Sequence, residues 1–323
     1  MENKKQNDKV IQASILISSI IIASTMGYTV GLRANAQQKI STSSADVINP
    51  ITELEKKVLP SNGATLPVVW GNLGIKLVEA GVIDADKFKA IYEQRGQFTA
   101  EYKNLLLVEN NGKIKITKEN SGYILNLFWA FGLANKNEIL EKGEMMDPKY
   151  GGAGKFASTG GWTIAKGNVM DHYSKHVMIQ LTSQQQALVD KVSRGIYRPC
   201  CGNSTHFPDC NHGMAMLGLI ELMASQGASE KEMWETALTV NSFWFPDNYL
   251  TIATYMKSKG IDWKNVNPQE ILGAAYSSSK GYANIASHVI KPEQQQSGGS
   301  GCDLGDAGAP VASSQNTQTG CAL

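Results

Sequence analysis

The sequence lacks the features that would identify several common functions. Its 323 residues carry a formal net charge of only +1, and no stripe of lysine and arginine interleaves with aromatic residues, which argues against a nucleic-acid-binding surface. The chain contains no C-x-x-C pair of a thiol oxidoreductase, no G-x-S-x-G of a serine hydrolase and no C-x-x-C-H for haem attachment. What it does have, 42% hydrophobic and 18% charged residues, is enough to bury a sizeable core.

The first 36 residues have the pattern of a membrane-targeting segment. Three lysines precede an apolar run over residues 10–32, which suits insertion with the N-terminus inside the cell. The run approaches the ~20 residues that cross a bilayer, while an A-x-A cleavage site ends at Ala36. Residues 1–36 therefore fit either a retained signal anchor or a cleaved signal peptide. We expect the rest of the chain at the extracytoplasmic face of the cell membrane, held by residues 10–32, or secreted if cleavage follows Ala36.

Composition divides the rest of the chain into three parts. Residues 37–50 are polar and lack periodicity, as expected for a linker. Residues 291–323 are rich in glycine, serine and glutamine and have little to bury, which predicts a flexible tail. Residues 51–290 carry helical periodicity, and we predict one globular domain there that is all-α or nearly so. The tail cysteines, Cys302 and Cys321, should be accessible and independent of that domain.

Capping signals predict where several helices of this domain begin. The predicted N-caps are Asp84, Thr117, Thr182 and Ser229. The last two form capping boxes with a glutamine or glutamate three residues later, and they open helices that end near Gly195 and Phe245. Only residues 112–117 alternate like a short strand. The glycine-rich residues 142–168 predict a long loop.

Cysteine and histidine concentrate in one stretch, YRPCCGNSTHFPDCNHGMAM, residues 197–216. Thiolate and imidazole are the ligands that zinc and copper take from proteins. A second group, two histidines four residues apart, would share one face of a helix, a spacing by which one element supplies two imidazoles to a metal. The candidate metal ligands are Cys200, Cys201, His206, Cys210, His212, His172 and His176.

The end of this stretch predicts a helix that starts at the site. Asp209 is expected as its N-cap, and the following run to Gly227 is apolar on nearly every face, so we predict that this helix lies at the buried centre of the domain. Its first turn would carry Cys210 and His212. A helix N-terminus lowers the pKa of a thiol and favours the thiolate, which binds metal or attacks electrophiles.

A disulfide staple is the main alternative for the cysteines. Cys210 could pair with Cys200 or Cys201, the commoner use of nearby cysteines in an exported domain. Adjacent cysteines bond each other only with strain, and both rarely reach one ion, so Cys200 and Cys201 are expected to have different partners. A staple leaves His206 and His212 unexplained, which favours the metal site. The other histidine pair could equally be a solvated helix face.

The pairs Pro199-Cys200, Cys201-Gly202 and Asp209-Cys210, followed by a helix, resemble the PCYCGC-motif family of exported bacterial proteins over residues 199–245. This chain departs from the family where its two first cysteines are adjacent, because the family's cysteines alternate with other residues. The resemblance implies an extracytoplasmic, cysteine-based, metal-binding site. It implies no catalytic role.

These patterns predict a membrane-anchored metal-binding or metal-handling protein that uses a Cys/His site for zinc or copper. One alternative is a disulfide-stapled structural or interaction protein of the cell envelope. Another is a metal- or thiol-dependent enzyme, through an open metal position or a reactive cysteine. The nearby acidic residues give no acid and base pair, because capping or solvation accounts for Asp171, Asp209 and Glu221.

Overall fold

The structure is a computed structural model that describes residues 50–289. Within these residues 59% are helical and 7% lie in strands, so the prediction of a mainly helical fold is confirmed. The segment 1–36, the linker up to residue 49 and the tail 291–323 lie outside the described residues. Among the helices that the structure does describe, none is both long and apolar enough to cross a membrane.

Thirteen α-helices and two strands make up this part of the chain. The strands are β1 Ala64–Gly71 and β2 Asn111–Ile116. The helices up to the long loop are α1 Pro50–Val58, α2 Leu73–Glu79, α3 Ala85–Gln94, α4 Ala100–Leu107, α5 Ser121–Ala134 and α6 Glu138–Lys142. Those after it are α7 Ser183–Gly195, α8 Asn211–Ser225, α9 Glu230–Trp244, α10 Pro246–Ser258, α11 Pro268–Leu272, α12 Ala274–Ser277 and α13 Ser279–Ser287.

Local capping chemistry sets most of the predicted helix starts. Asp84 caps α3 by accepting hydrogen bonds from two backbone N–H groups of its first turn. Both capping boxes are present, at Thr182 before α7 and at Ser229 before α9. The prediction that Thr117 caps a helix is wrong. Its backbone N–H instead donates to the Asn120 side chain, a closed turn that delays the start of α5 to Ser121.

The two strands pair antiparallel, with Ala64 opposite Ile116 and Gly71 opposite Asn111. The alternating pattern predicted β2, whereas β1 was not predicted. A proline inside its sequence, ATLPVVWG, argues against a regular strand. The pairing is irregular between Thr65 and Val69, around that proline, which is how the ladder accommodates a residue without an N–H.

Helix α8 lies at the centre of the fold, as its sequence predicts. Every residue from Asn211 to Ala224 is buried, and α8 packs against α5, α7 and α9. The closest approach is to α5, where Gly132 faces Gly218: a Cβ added at Gly132 would lie 2.2 Å from the Met214 carbonyl oxygen. A Cβ at Gly218 would lie 2.6 Å from the Phe128 carbonyl oxygen. The two helices therefore cross backbone to backbone, which only glycine permits at these positions.

One side chain of α8 departs from its expected place. Glu221 is fully buried rather than capping or solvated, and Asn135 Nδ2 donates to its Oε2 at 2.6 Å. Its other carboxyl oxygen has no hydrogen-bond partner among the described residues. Burial raises the pKa of Glu221 to about 8, although the hydrogen bond from Asn135 and the nearby amide of Asn137 act to lower it. The carboxyl is therefore mostly protonated at neutral pH.

Replacing Gly132 or Gly218 by alanine should lower the free energy of unfolding by ~1–3 kcal/mol or more, because the added methyl forces α5 and α8 apart. Gly122→Ala is the matched control, since it lies on α5 with nothing within 4 Å of its added Cβ. That change should be neutral or stabilising by up to ~1 kcal/mol. Denaturant unfolding of the three variants tests the crossing. Equal effects at all three positions would contradict it.

Glu221→Gln should change how stability depends on pH. The folded-state pKa of about 8 lies above the ordinary 4.5, so the folded protein holds the proton more tightly than the unfolded chain. Stability is therefore lost as pH rises from about 4.5 through about 8, at up to ~1.4 kcal/mol per pH unit. The variant lacks this loss. The difference in free energy of unfolding between the variant and the wild type should therefore shift in favour of the variant across that pH window and then level off. Urea unfolding at several pH values measures this difference, and Glu79→Gln, at an exposed position, is the control. If the stability of Glu221→Gln and of the wild type depended on pH in the same way, Glu221 would not have a raised pKa.

Candidate metal centre

The three cysteines lie on the segment that joins α7 to α8. Backbone hydrogen bonds fold this segment back on itself: Cys201 N donates to Arg198 O at 3.2 Å, and Thr205 N donates to Ile196 O at 2.8 Å. Proline and glycine at 199 and 202 suit such turns. The chain therefore returns toward its own start before α8 begins, which brings Cys210 close to the cysteine pair.

The long loop over residues 142–168 supports this segment from outside. The sequence predicted an irregular loop here, and the structure shows one that contains three short 3-10 turns. Ser158 N donates to Asp209 O at 3.1 Å, and the Phe207 ring packs against Tyr150 and Phe156 at centroid distances of 5.3 and 5.4 Å. The loop therefore helps to hold the cysteine segment in place.

The sulfur atoms of Cys200, Cys201 and Cys210 form one compact cluster in which all three lie within 4.8 Å of one another. The Sγ of Cys200 lies 3.3 Å from that of Cys201 and 3.8 Å from that of Cys210. All three are free cysteines. Cys201 and Cys210 are 4% and 2% exposed, whereas Cys200 is only partly buried. Three thiols this close could hold a metal ion.

This cluster corrects the expectation that the adjacent cysteines have different partners. Cys200 and Cys201 both approach Cys210, because the turn that closes at Arg198 places the two sulfurs on the same cluster. The staple alternative predicted a bond from Cys210 to one of them. In the structure neither pair is joined by a disulfide.

Cys210 itself, rather than Asp209, occupies the N-cap position of α8. Its sulfur accepts a hydrogen bond from Gly213 N at 3.5 Å, and the helix begins at Asn211. The Asp209 carboxylate is engaged elsewhere: it pairs with Arg198, and its Oδ2 accepts from Asn203 Nδ2 at 2.8 Å. The helix dipole therefore acts directly on the cysteine sulfur.

Arg198 is a functional residue that the sequence analysis missed. Its side chain is 1% exposed, and its Nε donates to Cys210 Sγ at 3.1 Å. The rest of the guanidinium donates to the carbonyl oxygens of Asn203 and Phe207 and pairs with Asp209. The sequence could have indicated this residue, because Arg198 is the only lysine or arginine between residues 195 and 230 and lies two residues before Cys200. A buried arginine beside three cysteines supplies a fixed positive charge to the cluster.

Gly213 makes room for this arginine. A Cβ at that position would lie 2.6 Å from both Cζ and Nη2 of Arg198. The first turn of α8 therefore tolerates no side chain where the guanidinium lies against it.

The environment concentrates negative charge on Cys210. Burial alone would raise its pKa, but the neighbouring thiols of Cys200 and Cys201, the charge of Arg198 and the nearby His212 ring lower the pKa of Cys210 well below its ordinary value. The pKa of Cys200 is raised, because its hydrogen bonds to the other two sulfurs and its burial favour the thiol. At Cys201 the bond with Cys200 acts to lower the pKa, but the bond with Cys210 and burial outweigh it. The environment therefore favours the thiolate at Cys210 and the thiol at Cys200 and Cys201.

His212 lies beside the cluster but outside the group of close donor atoms. Its ring packs against Phe245 at a centroid distance of 4.3 Å and against Trp244 at 6.0 Å. The side chain is buried, and its Nδ1 has no hydrogen-bond partner among the described residues. His212 therefore lies beside the site, and its ring belongs to an aromatic cluster with Trp244 and Phe245.

His206 is not part of the cluster, although it was a candidate ligand. Its Nδ1 lies 2.7 Å from Glu144 Oε2, and its Nε2 lies 2.8 Å from Asp190 Oδ1. Both ring nitrogens are thus engaged by carboxylates on different elements, the loop and α7. This histidine fastens the loop to α7, and its lone pairs are not directed at the sulfurs.

His172 and His176 are also apart from the cysteines, and they do not lie on an α-helix. His172 ends a 3-10 turn over Val169–Asp171. Its Nδ1 lies 3.0 Å from His176 Nε2, and its Nε2 lies 3.0 Å from Lys166 O. The two rings stack at a centroid distance of 5.2 Å. The two imidazoles are adjacent, as expected, but a turn rather than a helix brings them together. They are not part of the cysteine cluster.

Replacing Arg198 should raise the pKa of Cys210. The hydrogen bond from a charged donor contributes ~1.5–3 kcal/mol to the thiolate, which corresponds to a rise of roughly 1–2 pKa units in Arg198→Met. Arg198→Lys keeps the charge and should restore part of the shift. Thiolate ultraviolet absorbance against pH measures it, in a background where Cys302 and Cys321 are serine. Exposed Arg194→Gln is the control; an unchanged titration in Arg198→Met would contradict the role of Arg198.

Comparison with known proteins provides no relative from which a role could be transferred. No family model, no curated protein and no solved structure matches this chain. The resemblance to the PCYCGC-motif family therefore stays a prediction, and the chemistry of the site rests on the residues described above.

Proposed function

We propose that this protein binds a transition-metal ion through the thiolates of Cys200, Cys201 and Cys210, and that it handles metal at the outer face of the cell membrane. The observation that carries the proposal is the convergence of three sulfur atoms within 4.8 Å of one another. Two further features support it: a permanent cation beside the sulfurs and a helix N-terminus directed at one of them.

The spacing of the sulfurs suits a shared metal ion. Thiolates bound at ~2.3 Å in tetrahedral geometry lie ~3.8 Å apart. The distance from Cys200 Sγ to Cys210 Sγ, 3.8 Å, agrees with that value, whereas Cys201 Sγ, at 3.3 Å from Cys200 Sγ, would have to move slightly away. Binding converts the two remaining thiols to thiolates, and Arg198 and the α8 N-terminus stabilise the charge that results.

A handling role is favoured over a purely structural one. The packing of α8 against α5 at Gly132 and Gly218 does not involve the cysteines, so the core has its own source of stability. Cys200 is the least buried of the three sulfur residues, which gives an ion a path in and out. The targeting pattern in residues 1–36, with its apolar run over residues 10–32, supports a location at the membrane.

A thiol-dependent enzyme is the second candidate, and one observation favours it. The surroundings of Cys210 favour its thiolate, and two further cysteines lie beside it, the arrangement of a nucleophile with resolving partners. Its sulfur is 2% exposed and accepts several hydrogen bonds, which lowers its reactivity toward a substrate. Metal binding is therefore the better supported proposal.

Full-length protein purified without chelator, with Cys302 and Cys321 replaced by serine, should contain one metal ion per chain. Cys210→Ser should remove the metal, because two thiols alone hold it poorly, and should leave helical circular dichroism largely unchanged. His206→Gln is the matched control and should retain the metal, since that ring bonds carboxylates instead. Elemental analysis and thermal melting are the measurements.

Two results would contradict the proposal. One is wild-type protein without metal that carries a disulfide from Cys210 to Cys200 or Cys201. The other is Cys210→Ser protein with the metal content of the wild type. Loss of metal together with loss of the folded state would instead indicate a structural metal, because binding free energy is then folding free energy.

A further inference from the structure

We infer that the cluster of Cys200, Cys201 and Cys210 selects Cu(I), held by three sulfurs alone, and that Arg198 stabilises this ion's ligands while His212 stays outside its ligand shell. The inference rests on the proposed function and narrows it from a transition metal to one class of ion: soft, monovalent and three-coordinate. It has four supports: the donor set, the engagement of neighbouring donors, the position of His212 and the buried charge.

The donor set is the first support. Among the described residues, the group of close donor atoms contains three sulfurs and neither nitrogen nor oxygen. Soft thiolate ligands favour Cu(I). A site that also contains carboxylate oxygens or imidazole nitrogens suits other metal ions as well. Zinc is almost always four-coordinate in proteins, with four protein ligands or with three and a water. A site of three sulfurs lacks one ligand for structural zinc.

The neighbouring side chains that could supply a fourth ligand are engaged elsewhere. Asp209 uses one carboxyl oxygen for Arg198 and the other for Asn203. His206 uses both ring nitrogens for Glu144 and Asp190. To join the cluster, either residue would have to break two strong contacts in a largely buried region, and a buried group left unpaired costs ~1–3 kcal/mol.

His212 lies beside the cluster, and its position keeps it out of the ligand set. No nitrogen of its ring belongs to the group of close donor atoms among the described residues. The ring packs against Phe245 at a centroid distance of 4.3 Å and against Trp244 at 6.0 Å. This packing holds the ring outside the three-sulfur group.

Arg198 accounts for how a buried site tolerates the charge of such a complex. Three thiolates around a monovalent ion retain a net charge of about −2, which is costly to bury without compensation. The guanidinium, 3.1 Å from Cys210 Sγ and 1% exposed, lies where that charge accumulates. The N–H of Gly213 and the dipole of the 15-residue helix α8 add to it.

The test compares Cu(I), supplied as its acetonitrile complex without oxygen, with Zn(II), in full-length protein whose Cys302 and Cys321 are serine. Each ion is titrated against a competing chelator, and X-ray absorption of the loaded protein gives the ligand shell. We expect one Cu(I) per chain with three sulfurs and no nitrogen, and no displacement by excess Zn(II). His212→Ala should change the Cu(I) affinity less than about tenfold and leave the three-sulfur shell unchanged.

A nitrogen in the copper shell that disappears in His212→Ala would overturn the inference, because His212 would then be a ligand. Tighter binding of Zn(II) than of Cu(I) would overturn it as well. Both outcomes leave the proposed function intact, since a metal still binds through the cysteines. Failure of both ions to bind wild-type protein would overturn the proposed function together with the inference. His206→Gln, with Cu(I) affinity equal to the wild type, is the control for a histidine outside the cluster.

Discussion

The contact between the backbones of α5 and α8 is the constraint on which the rest of this structure depends. Gly132 and Gly218 let the two helices touch without side chains between them, and α8 is then enclosed on every side. A central helix held this firmly gives its N-terminus a fixed position. Cys210, at that N-terminus, is therefore placed by the core as well as by the irregular segment that precedes it.

The cluster combines two groups that would each be costly to bury alone. A guanidinium without an acceptor, or a thiolate without a donor, would carry a large desolvation penalty in the interior. Arg198 bonds Cys210, Asp209 and two backbone carbonyls, so its donors are satisfied. The charge of Arg198 also helps the neighbouring thiols to lower the pKa of Cys210, which favours its thiolate. Arginine and sulfur therefore belong to one electrostatic unit.

Local features of the sequence predicted a large part of the fold. Asp84, Thr182 and Ser229 cap helices where their spacing indicated, because capping depends on residues three or four apart. Strand β1 and the burial of Glu221 were missed. The first contains a proline, and the second depends on Asn135, a residue 86 positions away, so neither could be inferred from neighbours along the chain.

By itself the sequence determined that the domain is mainly helical, that an apolar helix follows Cys210, and that cysteine and histidine gather on one segment, since each follows from local composition and periodicity. Only the tertiary structure decided which of those residues meet. It united Cys200, Cys201 and Cys210, added Arg198, and directed His206 toward Glu144 and Asp190. The physical reason is that a ligand set is defined by distances of a few ångströms between side chains, and those distances are set by long-range packing and by competing hydrogen-bond partners.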